Sequence, residues 1–257
     1  MKQQFIKGEN FEFALIWGEN LKFPTHSHDE YVISSNITGH EKLKLDGKGY
    51  TAPETVTTLF NPGQLHVGEG THFLISLYLA ADFFPKIGVS NQQLDFEKPL
   101  VADHQLLELM RSVVSPILSS APPNELSEAA INIADLVHER YTIDKTTIIG
   151  KSVDWRVKVV QEILLDKLDE IPDVSDLAIA VGLTPIQLHR MFKRATSLPP
   201  ITWQRVHRLA KARLLLRAGQ PAVTVAHEMG FSDQAHLVRS FGKVYGITPG
   251  KFANPCY

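Results

Sequence analysis

A short pattern of small, apolar and basic residues occurs twice between residues 170 and 250. The two copies read Ala178, Gly182, Leu188, Arg190, Phe192 and Ala226, Gly230, Leu237, Arg239, Phe241. Ala178 and Ala226 are 48 positions apart, whereas Arg190 and Arg239 are 49 apart, so the second copy has one extra residue in its turn. An arginine can donate two hydrogen bonds to guanine O6 and N7 in the major groove. The matched arginines therefore indicate two similar units that read duplex DNA.

Each copy carries the signals of a helix, a sharp turn and a second helix. Glycine accepts the positive φ that ends a helix, and Thr184-Pro185 supplies an N-cap and a first helical residue for the next one. In the second copy Ser232 or Asp233 takes the capping place. Leu188 and Phe192 are four residues apart and share one face, which directs Arg190 outward. One such unit alone fits an ordinary helical hairpin equally well, and the duplication favours DNA binding.

Charge is distributed unevenly along the chain. Residues 185–251 contain eleven basic residues and two acidic ones, although the whole chain has a formal net charge of −2. The part before Gly150 has a net charge of −8, and the part after it has a net charge of +6. This asymmetry predicts two domains with different partners, the second of which suits a polyanion.

Residues from about 153 to 252 resemble the DNA-binding domain of the AraC/XylS family of bacterial transcription regulators, including the closing Gly246-Ile247-Thr248-Pro249 and Phe252. The resemblance implies seven helices, with two helix-turn-helix units joined by a long helix at about Pro200 to Ala218. Ser197 departs from the family pattern, which usually has a glycine there, and a left-handed serine costs about 1 kcal/mol.

The outward faces of the two second helices define candidate DNA contacts. The residues expected to reach base edges are Ile186, His189 and Arg190 in the first copy and Gln234, His236, Val238 and Arg239 in the second. The residues expected to contact phosphate are Lys193, Arg194 and Lys243. For each charged residue, a solvated side chain without a role is the alternative.

The first hundred residues have short apolar or alternating runs separated by Gly, Asp-Gly and Asn-Pro-Gly turns, which predicts an all-β barrel or sandwich. His26-Ser27-His28, Gly39 and the segment from Asn61 to His66 resemble the small cupin barrel that the family often carries as its effector-binding domain.

Three histidines in this region could do metal chemistry. A His-x-His pair on a strand places both imidazoles on one face, and His66 could supply a third ligand to His26 and His28. Metal-binding cupins add a glutamate a few residues after the pair, and this chain has Val32 and Ile33 there. We therefore expect no metal and no cofactor. Instead, the sequence predicts an effector pocket lined by Trp17, His26, His28, Tyr31 and His66. The alternative is a cupin metalloenzyme that its helical domain tethers to DNA.

The expected fold class is multidomain α+β: an N-terminal cupin-like β-barrel with two following helices, and a C-terminal all-α domain with two helix-turn-helix units. The expected domains are an effector-binding barrel at 1–100, a helical segment at 101–141, a polar linker at 142–152 and the DNA-binding domain at 153–257. The two amphipathic helices flank Ala121-Pro122-Pro123-Asn124, and either complete the barrel core or form a dimer interface.

Composition narrows the function. A single cysteine excludes a disulfide framework or a multi-cysteine zinc site. The sequence shows no signal peptide, long apolar run, phosphate-binding loop or nucleophile elbow, so we expect a soluble, cytoplasmic, non-catalytic protein. The expected partners are double-stranded DNA, a small-molecule effector and a second copy of the chain. RNA polymerase is a candidate further partner, and no membrane partner is expected.

Overall fold

The computed structural model describes residues 1–70, 73–89, 94–144 and 154–253. Strands dominate up to residue 144, and the chain is helical from residue 154 onward. This arrangement confirms the predicted fold class. Within the described ranges, every helix is too short or too polar to span a bilayer.

Two antiparallel sheets form the walls of the N-terminal barrel. Its strands are β1 Lys2–Lys7, β2 Phe11–Trp17, β3 Lys22–His26, β4 Tyr31–Thr38, β5 Glu41–Leu45, β6 Lys48–Ala52, β7 Thr57–Phe60, β8 His66–Glu69, β9 Phe73–Leu79 and β11 Leu100–Val101. A further strand, β10 Leu94–Phe96, belongs to neither wall. One wall has six strands in the order β1-β2-β9-β4-β7-β11, and the other has four in the order β3-β8-β5-β6. Side chains of both walls meet in one apolar cluster inside the barrel.

The six-stranded sheet is buried on both faces, because successive side chains of a strand point to opposite sides. In β2, Ala14 and Ile16 face the barrel interior, whereas Phe13 and Leu15 face a second cluster that contains helices. This double burial explains why β2 reads as a nearly continuous apolar run in the sequence, and it leaves the first six residues of β4 buried although three of them are polar.

Helices cover the outer face of the six-stranded sheet. They are α1 Phe83–Lys86, α2 His104–Ser112, α3 Val114–Leu118 and α4 Pro123–Tyr141. The first of the two predicted helices is interrupted at Val113, because Pro116 has no N–H to donate and its ring would clash with the carbonyl of Ser112 in a continuous helix. Leu106, Met110 and Ile133 are fully buried in the cluster with the sheet. The apolar stripes of these helices therefore complete the core of the first domain.

The predicted linker begins too early. Residues Thr142–Asp144 form a strand, β12, which pairs antiparallel with β10 in the register Leu94↔Asp144. Backbone hydrogen bonds to β10 tie this segment to the barrel domain. The rest of the predicted linker, 145–152, lies outside the described residues.

Residues 154–253 form seven helices, as the resemblance implied. They are α5 Trp155–Asp166, α6 Val174–Ala180, α7 Pro185–Thr196, α8 Pro200–Arg217, α9 Ala222–Glu228, α10 Gln234–Tyr245 and α11 Pro249–Ala253. α8 joins two small cores, since Trp203 packs in the cluster of the first helix-turn-helix and Leu209 and Leu216 pack in that of the second.

The helix ends follow the predicted capping pattern. Thr184 caps α7 in a reciprocal arrangement with Gln187, and Asp233 rather than Ser232 caps α10 by accepting a hydrogen bond from the His236 N–H. Ser197 and Gly246 end α7 and α10 in the left-handed conformation, with φ of 67° and 72°. Serine thus occupies a conformation that glycine adopts at lower cost.

Replacing the left-handed serine should stabilise the protein. We expect Ser197→Gly to raise the free energy of unfolding by about 1 kcal/mol, because glycine relieves the Cβ strain. Gly182→Ala is the matched control, since Gly182 has a φ of 68° and an added Cβ would have no atom within 4 Å. The control should lower stability by about 1 kcal/mol. Denaturant unfolding measures both, and an unchanged or lower stability for Ser197→Gly would contradict the strain argument.

Candidate functional site

The second helix of each helix-turn-helix presents a basic outer surface. Leu188 and Phe192 of α7, and Leu237 and Phe241 of α10, are fully buried, which fixes the rotation of both helices. Nine of the ten predicted DNA-contacting residues are exposed as a consequence, namely Ile186, His189, Arg190, Lys193, Arg194, Gln234, His236, Arg239 and Lys243. Val238 is half-buried.

The basic residues of this surface are available to a ligand. Arg190, Lys193, Arg194, Arg239 and Lys243 take part in no ion pair with the residues that the structure describes. Ile186 is 67% exposed although it is apolar. An exposed isoleucine beside unpaired guanidinium groups suits a surface that meets thymine methyl groups and phosphate in the major groove.

Two of the predicted DNA-contacting residues also border a cavity. His236 and Lys243 line a cavity of about 660 Å³ between α8, α10 and the edge of the barrel at Pro24 to His26. Nδ1 of His236 lies 3.2 Å from the Ser232 hydroxyl oxygen, and the His236 ring packs edge-on to Phe231. We call this the interdomain cavity. Its walls join α10 directly to the first domain. We call α7 and α10, the second helices of the two helix-turn-helix units, the recognition helices.

The structure brings His26, His28 and His66 together inside the barrel. Their rings are 4.0 to 5.1 Å apart between centroids, and one nitrogen of each lies within 4.8 Å of the others. They line a cavity of about 50 Å³ together with Ser34, Ser76, Glu41 and apolar residues. We call this the histidine cavity. His26 lines both the histidine cavity and the interdomain cavity.

Burial keeps the three imidazoles neutral. It lowers the pKa of His26 and of His28 well below the ordinary value, and it lowers the pKa of His66 to about 4. Burial also raises the pKa of the Glu41 carboxyl to about 7. Desolvation disfavours the charged form in each case.

Trp17 and Tyr31 do not join the histidines, so the predicted five-residue pocket is corrected. Both side chains lie on the opposite face of the six-stranded sheet, among the helices. Trp17 packs edge-on to Phe73, and the Tyr31 hydroxyl donates a 2.7 Å hydrogen bond to the Leu94 carbonyl. The sequence argument grouped residues by type, whereas the alternation along β2 and β4 decides which face they reach.

Sequence reasoning missed a buried charge network that joins the two domains. Arg213 of α8 donates to Glu12 of β2 at 2.6 Å and to Glu30 beside β4, and all three side chains are at most 3% exposed. Arg217 approaches Glu30 at 3.5 Å, which balances two carboxylates with two guanidinium groups. We call these four residues the Arg213 network. The sequence did carry a signal for this network, because Glu12 is a charged residue inside the apolar run of β2.

Aromatic rings surround the Arg213 guanidinium. It lies 4.4 Å from the ring centroid of Tyr78 and 4.9 Å from that of Phe252. Burial by itself lowers the pKa of Arg213, but the carboxylates of Glu30 and Glu12 outweigh burial and raise the pKa above its ordinary value. Arg213 therefore remains charged, and the network binds the domains through a paired rather than an isolated ion.

Other contacts extend the same interface. The Gln3 amide donates a 2.8 Å hydrogen bond to the Tyr245 carbonyl, and Lys7 donates to the Phe252 carbonyl. The Tyr245 ring lies 6.0 Å from the His26 ring and 6.1 Å from the His28 ring. Residues of α10 and α11 thus touch both the N-terminal strand and the histidine cavity.

Comparison with known proteins agrees with this architecture. Residues 12–132 match the model of an AraC-like ligand binding domain, and residues 177–254 match that of a helix-turn-helix domain. The arabinose operon regulatory protein of Salmonella typhimurium is 25% identical over 245 residues, which cover 88% of this chain and 84% of that protein. The transcriptional activator RhaS of Escherichia coli is 27% identical over 242 residues, covering 88% and 86%.

Solved structures share the fold of the whole chain. ToxT of Vibrio cholerae superposes with a TM-score of 0.52 at 12% identity, covering 96% of this chain and 98% of ToxT. A structure of ToxT with an unsaturated fatty acid bound gives a TM-score of 0.52 at 14% identity, covering 98% and 97%.

The paired domains define a transcription regulator with a ligand-binding domain and a DNA-binding domain. The chain belongs to the AraC/XylS family. The relatives named here are transcription regulators, and they lend no support to the alternative of a DNA-tethered metalloenzyme.

Removing the cation of the Arg213 network should release the domains from each other. In Arg213→Met, Glu12 and Glu30 lose a buried partner, which costs about 3–5 kcal/mol unless the carboxylates become hydrated. We expect the domains to separate, with a larger radius of gyration in small-angle scattering and a lower unfolding midpoint.

Two variants control this prediction. Arg217→Met removes the outer guanidinium and should have a much smaller effect, since Arg217 lies further from Glu30. The triple variant Glu12→Gln, Glu30→Gln, Arg213→Met should recover most of the loss, because no buried charge remains unpaired. An unchanged radius and midpoint in Arg213→Met would show that the network does not hold the domains together.

Proposed function

We propose that this protein regulates transcription by binding a specific duplex DNA site with both helix-turn-helix units, and that a small-molecule effector in the interdomain cavity controls this binding. The observation that carries the proposal is the interdomain cavity, whose lining includes His26 of the barrel and His236 and Lys243 of the second recognition helix. A ligand there contacts both domains, so it can have different affinities for two domain arrangements.

The size of the two cavities supports this location. Small-molecule sites usually have volumes of roughly 300–1,000 Å³. The interdomain cavity of about 660 Å³ falls in this range, whereas the histidine cavity of about 50 Å³ holds no organic effector. Of the five residues that the sequence predicted for effector binding, only His26 lines the interdomain cavity. The proposed effector site therefore lies at the rim of the barrel and not in its interior.

The lining of the interdomain cavity suggests the class of effector. Three cationic side chains, Arg205, Arg208 and Lys243, line it, and no carboxylate is among the described residues of its walls. Arg208 donates to the backbone carbonyls of Glu170 and Gly230 and has no ion-pair partner among the described residues. The remaining walls are largely apolar, with Ile171, Leu209 and Val244 among them. A small amphipathic carboxylate combines the charge and the apolar surface that these walls match.

A third cavity, on the four-stranded sheet, is the competing location for the effector. It has a volume of about 730 Å³ and is lined by residues of the four-stranded sheet, including Lys42, Lys44 and Tyr50. All of its walls come from the barrel, so a ligand there makes no contact with the DNA-binding domain. Transmission of a signal from this cavity would need a further structural change.

On the DNA side, we propose that Arg190 and Arg239 read guanines while Gln234 reads an adenine, with Ile186, His189, His236 and Val238 beside them. Lys193, Arg194 and Lys243 are proposed to contact phosphate. A homodimer and a contact with RNA polymerase stay predictions.

Removing the guanidinium of Arg190 or Arg239 should lower the sequence specificity of DNA binding. We expect Arg190→Ala and Arg239→Ala each to lower the preference for DNA from upstream of the gene over a scrambled duplex by about 5- to 150-fold, or about 1–3 kcal/mol. Lys193→Ala should weaken binding to both duplexes equally and reduce the salt slope by about one. Fluorescence anisotropy at several salt concentrations measures both effects.

Lys158→Ala is the control for these variants, because Lys158 is exposed on α5, outside both helix-turn-helix units. It should leave the preference unchanged. A preference that survives Arg190→Ala and Arg239→Ala would contradict the assigned base contacts.

Oleate serves as the probe for an amphipathic carboxylate effector, and oleyl alcohol serves as its uncharged counterpart. We expect oleate to change the affinity for the upstream duplex by at least about 5-fold, the lower end of allosteric coupling, and the alcohol to have little effect. Arg205→Ala should abolish the response, whereas Lys44→Ala should leave it intact. The reverse pattern would place the effector in the cavity of the four-stranded sheet. Equal, weak binding to both duplexes under all conditions would refute a sequence-specific regulator.

A further inference from the structure

We propose that His26, His28 and His66 bind one divalent transition-metal ion, and that this ion braces the barrel where it meets the DNA-binding domain. The site lies in the histidine cavity, which shares only His26 with the proposed effector site, and the argument for the metal uses no observation from the effector proposal.

The three side chains converge from two adjacent strands. His26 ends β3, His28 follows it in the next loop, and His66 begins β8, where it pairs directly with His26. Their ligand nitrogens lie within 4.8 Å of one another. A tetrahedral ion with metal–nitrogen distances of about 2.1 Å requires nitrogens about 3.4 Å apart. Ring rotations that move each nitrogen by about 1 Å close this gap.

Hydrogen bonds hold the rings of His26 and His66 in the orientation that is typical of metal-binding histidines. Nδ1 of His26 lies 2.7 Å from the Pro24 carbonyl, and Nδ1 of His66 lies 3.0 Å from the Gln64 carbonyl. A carbonyl oxygen only accepts, so Nδ1 carries the proton in both rings and Nε2 keeps its lone pair. A backbone carbonyl that holds the other ring N–H is the usual support of a ligating histidine.

The third ring has an unexplained buried atom. Nδ1 of His28 is buried and has no hydrogen-bond partner among the described residues. Buried polar nitrogens are rarely left unpaired, because an unpaired buried group costs about 1–3 kcal/mol. A cation bound by Nδ1 of His28 and by the Nε2 lone pairs of His26 and His66 would give this nitrogen a partner.

The cavity suits an ion and one small ligand. Its volume of about 50 Å³ has room for a metal ion with a water or hydroxide in the fourth position. Glu41 lines the same cavity and is buried, which places a carboxyl near the added positive charge. Three imidazoles and no thiolate favour Zn²⁺, Ni²⁺, Co²⁺ or Fe²⁺ over Mg²⁺ or Ca²⁺.

Such an ion would act on the DNA-binding domain through two short paths. The rings of His26 and His28 pack against Tyr245 of α10. Glu30, two residues after His28, accepts from Arg213 of α8. Fixing His28 therefore fixes the loop that presents Glu30 to the Arg213 network.

Metal analysis of untagged, full-length protein tests the site. After chelator treatment, reconstitution with Zn²⁺ and desalting, we expect about one zinc per chain in the native protein. His66→Gln should retain little zinc, because it keeps the side-chain size but removes an imidazole. His104→Ala is the matched control, since His104 is exposed on α2, and it should retain as much zinc as the native chain.

Two further measurements guard against a variant that fails to fold. In the native chain, Co²⁺ should give the intense visible bands of a four-coordinate ion, and Zn²⁺ should raise the unfolding midpoint whereas Mg²⁺ should not. Zinc retained equally by native protein and His66→Gln, or a native chain with neither cobalt bands nor a zinc-dependent midpoint, would overturn the proposal.

Discussion

The arrangement of this molecule depends on one buried cation. Arg213 lies in the C-terminal third of α8, the helix that joins the two helix-turn-helix units, and its guanidinium is held by Glu12 and Glu30 of the barrel domain. A buried arginine would be costly alone, and two buried glutamates would be costly alone. Each domain therefore carries a charge that only the other domain can neutralise in a dry environment.

This pairing makes α8 the element through which the domains communicate. Its residues pack into both helix-turn-helix cores, and its polar residues Gln204 and Arg208 are buried through hydrogen bonds to backbone carbonyls of other segments. A rotation of α8 would move both recognition helices together. Glu30 is two residues from His28, so the interior of the barrel, the ion network and α8 form one continuous set of contacts. Such a set is what a ligand must disturb to change the arrangement of two DNA-reading units.

Two cavities with different linings lie beside each other at the interface between the domains. The interdomain cavity has cationic walls and the size of a small ligand, whereas the histidine cavity has three imidazoles in its walls and the size of an ion. His26 borders both. An event in either cavity therefore acts on the same barrel rim and on the same helix α10.

The sequence by itself determined the local and repeated features. The two helix-turn-helix units, the cap at Thr184, the left-handed end at Ser197 and the inward faces of α7 and α10 follow from spacing and residue type, because these features involve residues a few positions apart. The β-rich character of the first domain follows in the same way from its turns. Only the tertiary structure decided which faces meet. It separated Trp17 and Tyr31 from the histidines, since one position along a strand changes the face of the sheet. It also paired Glu12 with Arg213, which are 201 positions apart, and no local pattern encodes a contact over that distance.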